Sequence, residues 1–170
     1  MEFAGIQKLL EEAFPNVSFE VDEEATPMAF VVDANSIADI CLFLKDHEAL
    51  FFDSLSCLTG IDNGPEANTM EVVYNLYSIP FDHHLMLKVI LDRAKPDLDS
   101  VSAIWKTADW HEREAFDLLG IRFANHPDLR RILLPQDWEG HPLRKDYKEQ
   151  GQYHGINVVY DRDDNEGPTG

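Results

Sequence analysis

With 170 residues, 44% of them hydrophobic, and a formal net charge of −18, the chain has room for one domain with a real core plus an extension. The charge argues against nucleic-acid binding, since an acidic chain repels phosphate and offers no basic patch. No apolar run approaches the ~20 residues that span a bilayer, and residues 1–12 lack the basic start and apolar stretch of a signal peptide; a soluble, cytoplasmic protein is expected.

In chain order, Phe3, Ile6, Leu10 and Ala13 follow helical spacing. Val17, Phe19 and Val21 alternate as a half-buried strand, and Met28 to Val32 form a second. Ser36 with Asp39 opens the next helix, whose buried face is Ile37, Ile40, Cys41 and Leu44. Strands are expected around 51–61, 70–79, 85–92 and 101–106, with turn chemistry at Asp62-Asn63-Gly64-Pro65. The 70–79 and 85–92 segments read as a hairpin closed by Ile79 to His84, which leaves His83 and His84 as exposed imidazoles in the loop. Helices and strands do not alternate strictly, so the fold class is α+β, with helices on one face of a mixed or mostly antiparallel sheet. Cys41 and Cys57 sit on an apolar helix face and in an apolar run, which suits buried free thiols.

A last helix is expected before residue 120. Ala108, Ala115, Phe116 and Leu119 supply an apolar stripe, Asp109 caps with Glu112 three residues on, and Gly120 stands where a left-handed C′ residue belongs. From Ile121 neither a helical nor a strand period persists, and Pro127, Pro135 and Pro142 interrupt any ladder or helix. The organisation read from the sequence is therefore a compact domain over 1–120, an extended arm over 121–148 and an acidic, flexible tail over 149–170. Disorder is expected from Asp161 to Gly170.

The arm carries large apolar groups that need covering: Leu129, Ile132, Leu133, Leu134, Trp138, Leu143 and Tyr147. Fixing its backbone at ~1 kcal/mol per residue requires on the order of 1,200 Å² of apolar burial. Either the arm packs on its own domain, or it is a docking arm that orders fully against a partner protein. Its charges favour the second reading. Residues 110–148 hold 7 basic and 7 acidic side chains, against 6 and 20 in residues 1–109. Close interleaving, as in Asp128-Leu129-Arg130-Arg131 and Arg144-Lys145-Asp146, suits specific ion pairs and bidentate arginine contacts.

Catalytic chemistry is hard to find. His111-Glu112 would begin a zinc-protease His-Glu-x-x-His, but Ala115 stands where the second histidine belongs. No Cys-x-x-Cys is present for an iron–sulfur cluster, and there is no phosphate-binding glycine loop. His126 and His141 each precede a proline, where a positioned hydrogen bond at an interface suits them better than acid/base work.

The stretch from Trp110 to Tyr147 closely resembles the signature of the 30 kDa subunit, or C subunit, of respiratory complex I, the proton-pumping NADH:quinone oxidoreductase. The match runs through Glu112, Arg113, Glu114, Phe116, Asp117, Gly120, Ile121 and Phe123, then His126-Pro127-Asp128-Leu129-Arg130-Arg131-Ile132-Leu133. It resumes at Asp137-Trp138, Gly140 and Pro142-Leu143-Arg144-Lys145-Asp146-Tyr147. Phe116 replaces a common tyrosine, and Lys148 stands where a proline often follows. The resemblance implies a non-catalytic structural subunit of the peripheral arm, binding no cofactor or metal itself. The complex it implies carries FMN and iron–sulfur clusters and uses NADH and quinone. Implied partners are the quinone-site D subunit and the iron–sulfur B and I subunits, on the cytoplasmic side of the bacterial inner membrane. Arg113, His126, Arg130, Arg131, Asp137, Trp138, Arg144, Lys145, Asp146 and Tyr147 are expected to dock against them. Two alternatives stand beside this: the equivalent subunit of a related membrane-bound hydrogenase or formate hydrogenlyase, and a freestanding hydrolase using His111 and Glu114.

Overall fold

The computed structural model describes residues 2–157; the segment expected to be disordered, Asp161 to Gly170, lies outside them. Helix α1 (Phe3–Ala13) leads into strands β1 (Glu20–Asp22) and β2 (Ala29–Val32), then helix α2 (Ile37–Asp46) and strands β3 (Ser54–Asp62), β4 (Thr69–Ser78) and β5 (His83–Asp92). These five strands form one sheet in the order β1-β2-β5-β4-β3, antiparallel throughout except for the β2–β5 pair. The fold class is thus the expected one.

Strand register explains why the helices share one face. Phe30 lies beside Leu87, Leu87 beside Tyr74, and Tyr74 beside Leu58, so one apolar row crosses four strands. All four are buried, in one cluster with Ile6 and Leu10 of α1 and Ile37, Ile40 and Leu44 of α2. Side chains one residue out of step point the other way. There Lys88 pairs with Asp22 at 2.5 Å and Glu71 at 3.4 Å, and Ile90 is 49% exposed. Among the described residues no helix covers that face.

A second unit closes the open edge of β3. Strand β6 (Asp97–Asp99), helix α3 (Ala108–Leu119) and strand β7 (Arg122–Ala124) form a small β-α-β unit whose strands pair in parallel. The core row Val32–Val89–Val72 ends on Gly60. A Cβ at Gly60 would stand 2.6 Å from Leu119 Cδ1 and 2.8 Å from Ile121 Cδ1, so glycine lets α3 seat on the sheet. The β3 edge keeps unpaired backbone groups that α3 and the preceding loop satisfy. Leu58 N–H donates to His111 Nδ1 at 3.1 Å, and Thr107 Oγ1 donates to Leu55 O at 3.2 Å.

Several local expectations are corrected. Residues 101–106 are turns, not a strand: Val101, Ile104 and Trp105 have helical spacing, and Val101 O accepts from Ile104 N–H and Trp105 N–H. The first strand is only Glu20–Asp22. His83 and His84 both belong to β5, and the hairpin turn is confined to 79–82. His83 is 5% exposed, with Nε2 donating to Leu50 O at 2.8 Å, and burial pushes its pKa down. Cys57 is half-buried, while Cys41 is buried; both thiols are free. The N-cap of helix α3 is Thr107, two residues before the expected Asp109, and Glu112 turns toward the preceding loop, so the Asp109–Glu112 cap does not form. Gln152–Tyr153 and Ile156–Asn157 pair as a short hairpin within the segment read as tail.

The two sheet faces should differ in urea unfolding. Leu87→Ala is expected to lose about 2–5 kcal/mol by leaving a cavity, and Ile90→Ala less than about 1 kcal/mol. Equal losses would mean that a second layer covers the far face.

Candidate functional site

Helix α3 presents three faces. Ala108, Glu112, Ala115 and Leu119 are buried on the sheet side. Asp109, Arg113 and Asp117, spaced by four, turn toward residues 126–134 of the arm. Trp110, Glu114 and Leu118, also spaced by four, form the outward ridge.

Asp117 is fully buried, and the arm wraps around it. Its Oδ2 accepts backbone N–H groups of Ile132, Leu133 and Leu134 at 2.9, 2.7 and 3.0 Å, while Oδ1 accepts Arg131 Nη1 at 3.0 Å. Burial raises the pKa of such a carboxyl, but the three N–H donors and Arg131 outweigh it and the net direction is down. The stability this anchor supplies is therefore present above the unfolded carboxyl range and lost as pH falls through the lowered value.

The C-terminal end of α3 is closed by the same arm. An α-helix leaves its last carbonyls without partners and carries partial negative charge there. Here Asp117 O accepts from His141 Nδ1 at 2.9 Å, Leu118 O from Leu143 N–H at 3.0 Å, and Leu119 O from Arg144 Nε at 2.7 Å. Arg131 also reaches Gly140 O at 2.9 Å. Gly120 has φ +78°, and a Cβ there would stand 2.6 Å from His141 Nε2 and 2.8 Å from Arg144 Nη2. Handedness and crowding both require glycine at this junction.

A second anchor lies at the end of the sheet. Asp62 accepts Gly64 N–H at 3.0 Å, Arg93 Nε at 2.7 Å and Lys145 N–H at 2.8 Å. Arg93 continues to Asp146, so its guanidinium lies between two carboxylates. Bonding to Arg93 holds both carboxyls below their usual range. The sequence marks Asp62 only as turn chemistry and Arg93 not at all, because nothing in the spacing says that a turn aspartate will meet the arm.

A third cluster sits where the arm begins. Glu112, 0% exposed, accepts Val101 N–H at 2.7 Å and Ser100 Oγ at 2.5 Å. His126 accepts Asp128 N–H at Nδ1, which leaves Nε2 to donate to Asp109 O at 3.3 Å, with Glu112 Oε2 at 3.8 Å. Burial pushes the Glu112 carboxyl up to about 7, partly offset by Ser100 and Val101.

Of the ten residues expected at an interface, most are engaged inside the chain. Arg113 has its Nε 3.4 Å from Arg130 O and its guanidinium 5.0 Å over Trp110. Asp137 accepts Tyr153 Oη and His154 Nε2, both at 2.8 Å, and Trp138 Nε1 donates to Tyr147 Oη at 3.1 Å. Arg130 is exposed, paired with Asp128 at 2.8 Å. Beside these polar groups the arm and α3 leave three large apolar side chains outward: Trp110 at 62%, Leu133 at 60% and Leu143 at 59% exposure. Trp110 was missed, although its place four residues before Glu114 on a helix is visible in the sequence. His111 and Glu114 line one small notch, but His111 Nδ1 accepts Leu58 N–H, so neutral His111 carries its proton on Nε2 and offers no base there.

Asp117→Ala orphans three N–H groups and Arg131. It is expected to cost about 3–5 kcal/mol and to open residues 128–144 to protease while the sheet stays folded; an uncleaved arm would contradict the anchor. Glu112→Gln tests the buried carboxyl. A folded value of about 7 against an ordinary 4.5 means stability is fullest below pH 4.5 and falls by about 3 kcal/mol as pH rises through 7. The glutamine variant is expected to flatten that slope between pH 5 and 8, and an unchanged slope would assign it to other groups.

Comparison with known proteins agrees with the string from which the arm is built. A family model described as "Respiratory-chain NADH dehydrogenase, 30 Kd subunit" matches residues 30–153. The C subunit of NADH-quinone oxidoreductase from Chlorobium phaeobacteroides is 48% identical over 138 residues, covering 81% of this chain and 82% of that protein. Among solved structures, a trypsin-resistant fragment of Nqo5 matches with TM-score 0.59 and 26% identity, over 73% of this chain and 98% of the fragment. A chain of an archaeal respiratory membrane complex, the membrane-bound sulfane sulfur reductase, matches with TM-score 0.69 and 26% identity over 85% of each chain. These matches do not favour the hydrogenase-type alternative. The chain belongs to the family of the 30 kDa subunit of respiratory-chain NADH dehydrogenase.

Proposed function

We propose that this chain is a non-catalytic structural subunit of the peripheral arm of a proton-translocating NADH:quinone oxidoreductase, docked on the quinone-site D subunit beside the iron–sulfur B and I subunits. In this reading FMN and the iron–sulfur clusters belong to other subunits, and the chain lies on the cytoplasmic side of the bacterial inner membrane. Among the described residues no helix is long and apolar enough to cross a membrane, so attachment would come through the partners.

One observation carries the proposal beyond family membership. Arg131, Arg144 and Asp146 of the arm are engaged on their own chain by Asp117, Leu119 O and Arg93, while Trp110, Leu133 and Leu143 stay about 60% exposed. An irregular segment fixed before docking has less conformational entropy to lose on binding, and exposed aliphatic and aromatic groups on a fixed frame are what a partner covers. Such a frame would hold cluster and quinone subunits in register, so that electrons cross fixed gaps.

The test is to recover the C-terminally tagged chain from gently solubilised membranes and identify what accompanies it. The D, B and I subunits are expected, and Leu133→Asp should reduce their recovery at least several-fold while the isolated chain stays folded. A hydrogenase large subunit, or the chain alone, would overturn the proposal.

A further inference from the structure

We propose that the outward ridge of α3, Trp110, Glu114 and Leu118, together with Leu143 of the arm, seats a cationic segment of the docking partner that pairs a lysine or arginine with Glu114 and inserts an aliphatic side chain beside Leu143. This rests on the docking role above and adds where contact is made and by what chemistry.

The ridge is fixed in place. Residues four apart align on a helix, and such ridges are what helices and loops pack against. Trp110 is 62% exposed but oriented by Arg113, whose guanidinium lies 5.0 Å from the ring and whose own side chain is 8% exposed. Leu143 is held beside the ridge by its N–H to Leu118 O at 3.0 Å. Leu143, Glu114 and His111 line one notch of about 80 Å³ together with Leu58, Ala115 and Leu118.

Charge selects the occupant. Among the described residues Glu114 has no hydrogen-bond or ion-pair partner. The cations of α3 and of the arm that packs on it are engaged elsewhere: Arg113 with Arg130 O and Trp110, Arg131 with Asp117, Arg144 with Leu119 O. Glu114, exposed one turn from Trp110, is solvated in the free chain; a partner that covers the ridge removes that water, and the counter-charge then has to come from the partner. A second copy of this chain brings the same Glu114 and a net charge of −18, so self-association places like charges together. An aliphatic group flanked by lysine or arginine satisfies both notch and carboxylate.

The test uses the assembled complex in solubilised membranes. A photo-crosslinking residue is placed at 110 or 143, with position 90 on the far sheet face as the control, and cross-linked peptides are sequenced. Glu114→Lys and Glu114→Gln are compared for partner recovery at rising salt, each checked for folding in the isolated chain. Expected are cross-links from 110 and 143 into one partner segment containing lysine or arginine. Recovery should fall about tenfold for Glu114→Lys and less for Glu114→Gln. If the quinone-site partner is recovered while both positions cross-link elsewhere, or Glu114→Lys assembles normally, the ridge assignment is wrong and the docking role survives. Cross-links between two copies of this chain would also overturn it. Absence of all complex I subunits from the unmodified pull-down removes the docking role and the ridge together.

Discussion

An irregular polypeptide must still satisfy its backbone donors, and here one buried carboxylate does so for three consecutive residues. Asp117 takes the N–H groups of Ile132, Leu133 and Leu134 on a single oxygen and Arg131 on the other. Without it the segment would have no ladder, no helix and no cover for those groups. The cost of burying the charge is met by four donors converging on it, which is why its pKa moves down and not up.

The rest of the structure presents that carboxylate. The sheet buries α3 through Gly60, the edge of β3 is sealed by His111 and Thr107, and β6 with β7 fix the helix ends. The arm returns the stabilisation, since Leu143 N–H, His141 and Arg144 occupy the carbonyls that the end of α3 leaves open. Domain and arm are thereby coupled: the helix orders the arm, and the arm caps the helix. Arg131, His141, Arg144 and Asp146 of the family string serve this coupling, while Leu133 and Leu143 between them stay exposed.

Much of the fold was legible in the sequence. The alternation in β4 and β5, the stripes of α1 and α2, and Gly120 as a left-handed cap all read directly, because burial imposes a period of two or 3.6. Residues 101–106 misled because Val101, Ile104 and Trp105 are apolar enough for a strand while spaced for turns. His83 misled because a strand end and a loop look alike beside a turn. The family was legible from the string between Trp110 and Tyr147. The direction of each charge was not: an arginine such as Arg131 has the same sequence signature whether it faces Asp117 or a partner. The i, i+4 run of Asp109, Arg113 and Asp117 was the available clue, since charges repeated on one side of a helix whose opposite side is apolar point to a second packed surface.

If Asp117 and Asp62 anchor the arm, its own domain orders it before any partner arrives. Amide hydrogen exchange of the isolated chain at neutral pH tests this directly at Ile132, Leu133, Leu134 and Lys145, the arm residues whose N–H groups end on those two carboxylates. Protection is expected at all four, comparable to that of α3. Free exchange at these positions in the isolated chain, with protection appearing only in the assembled complex, would contradict it.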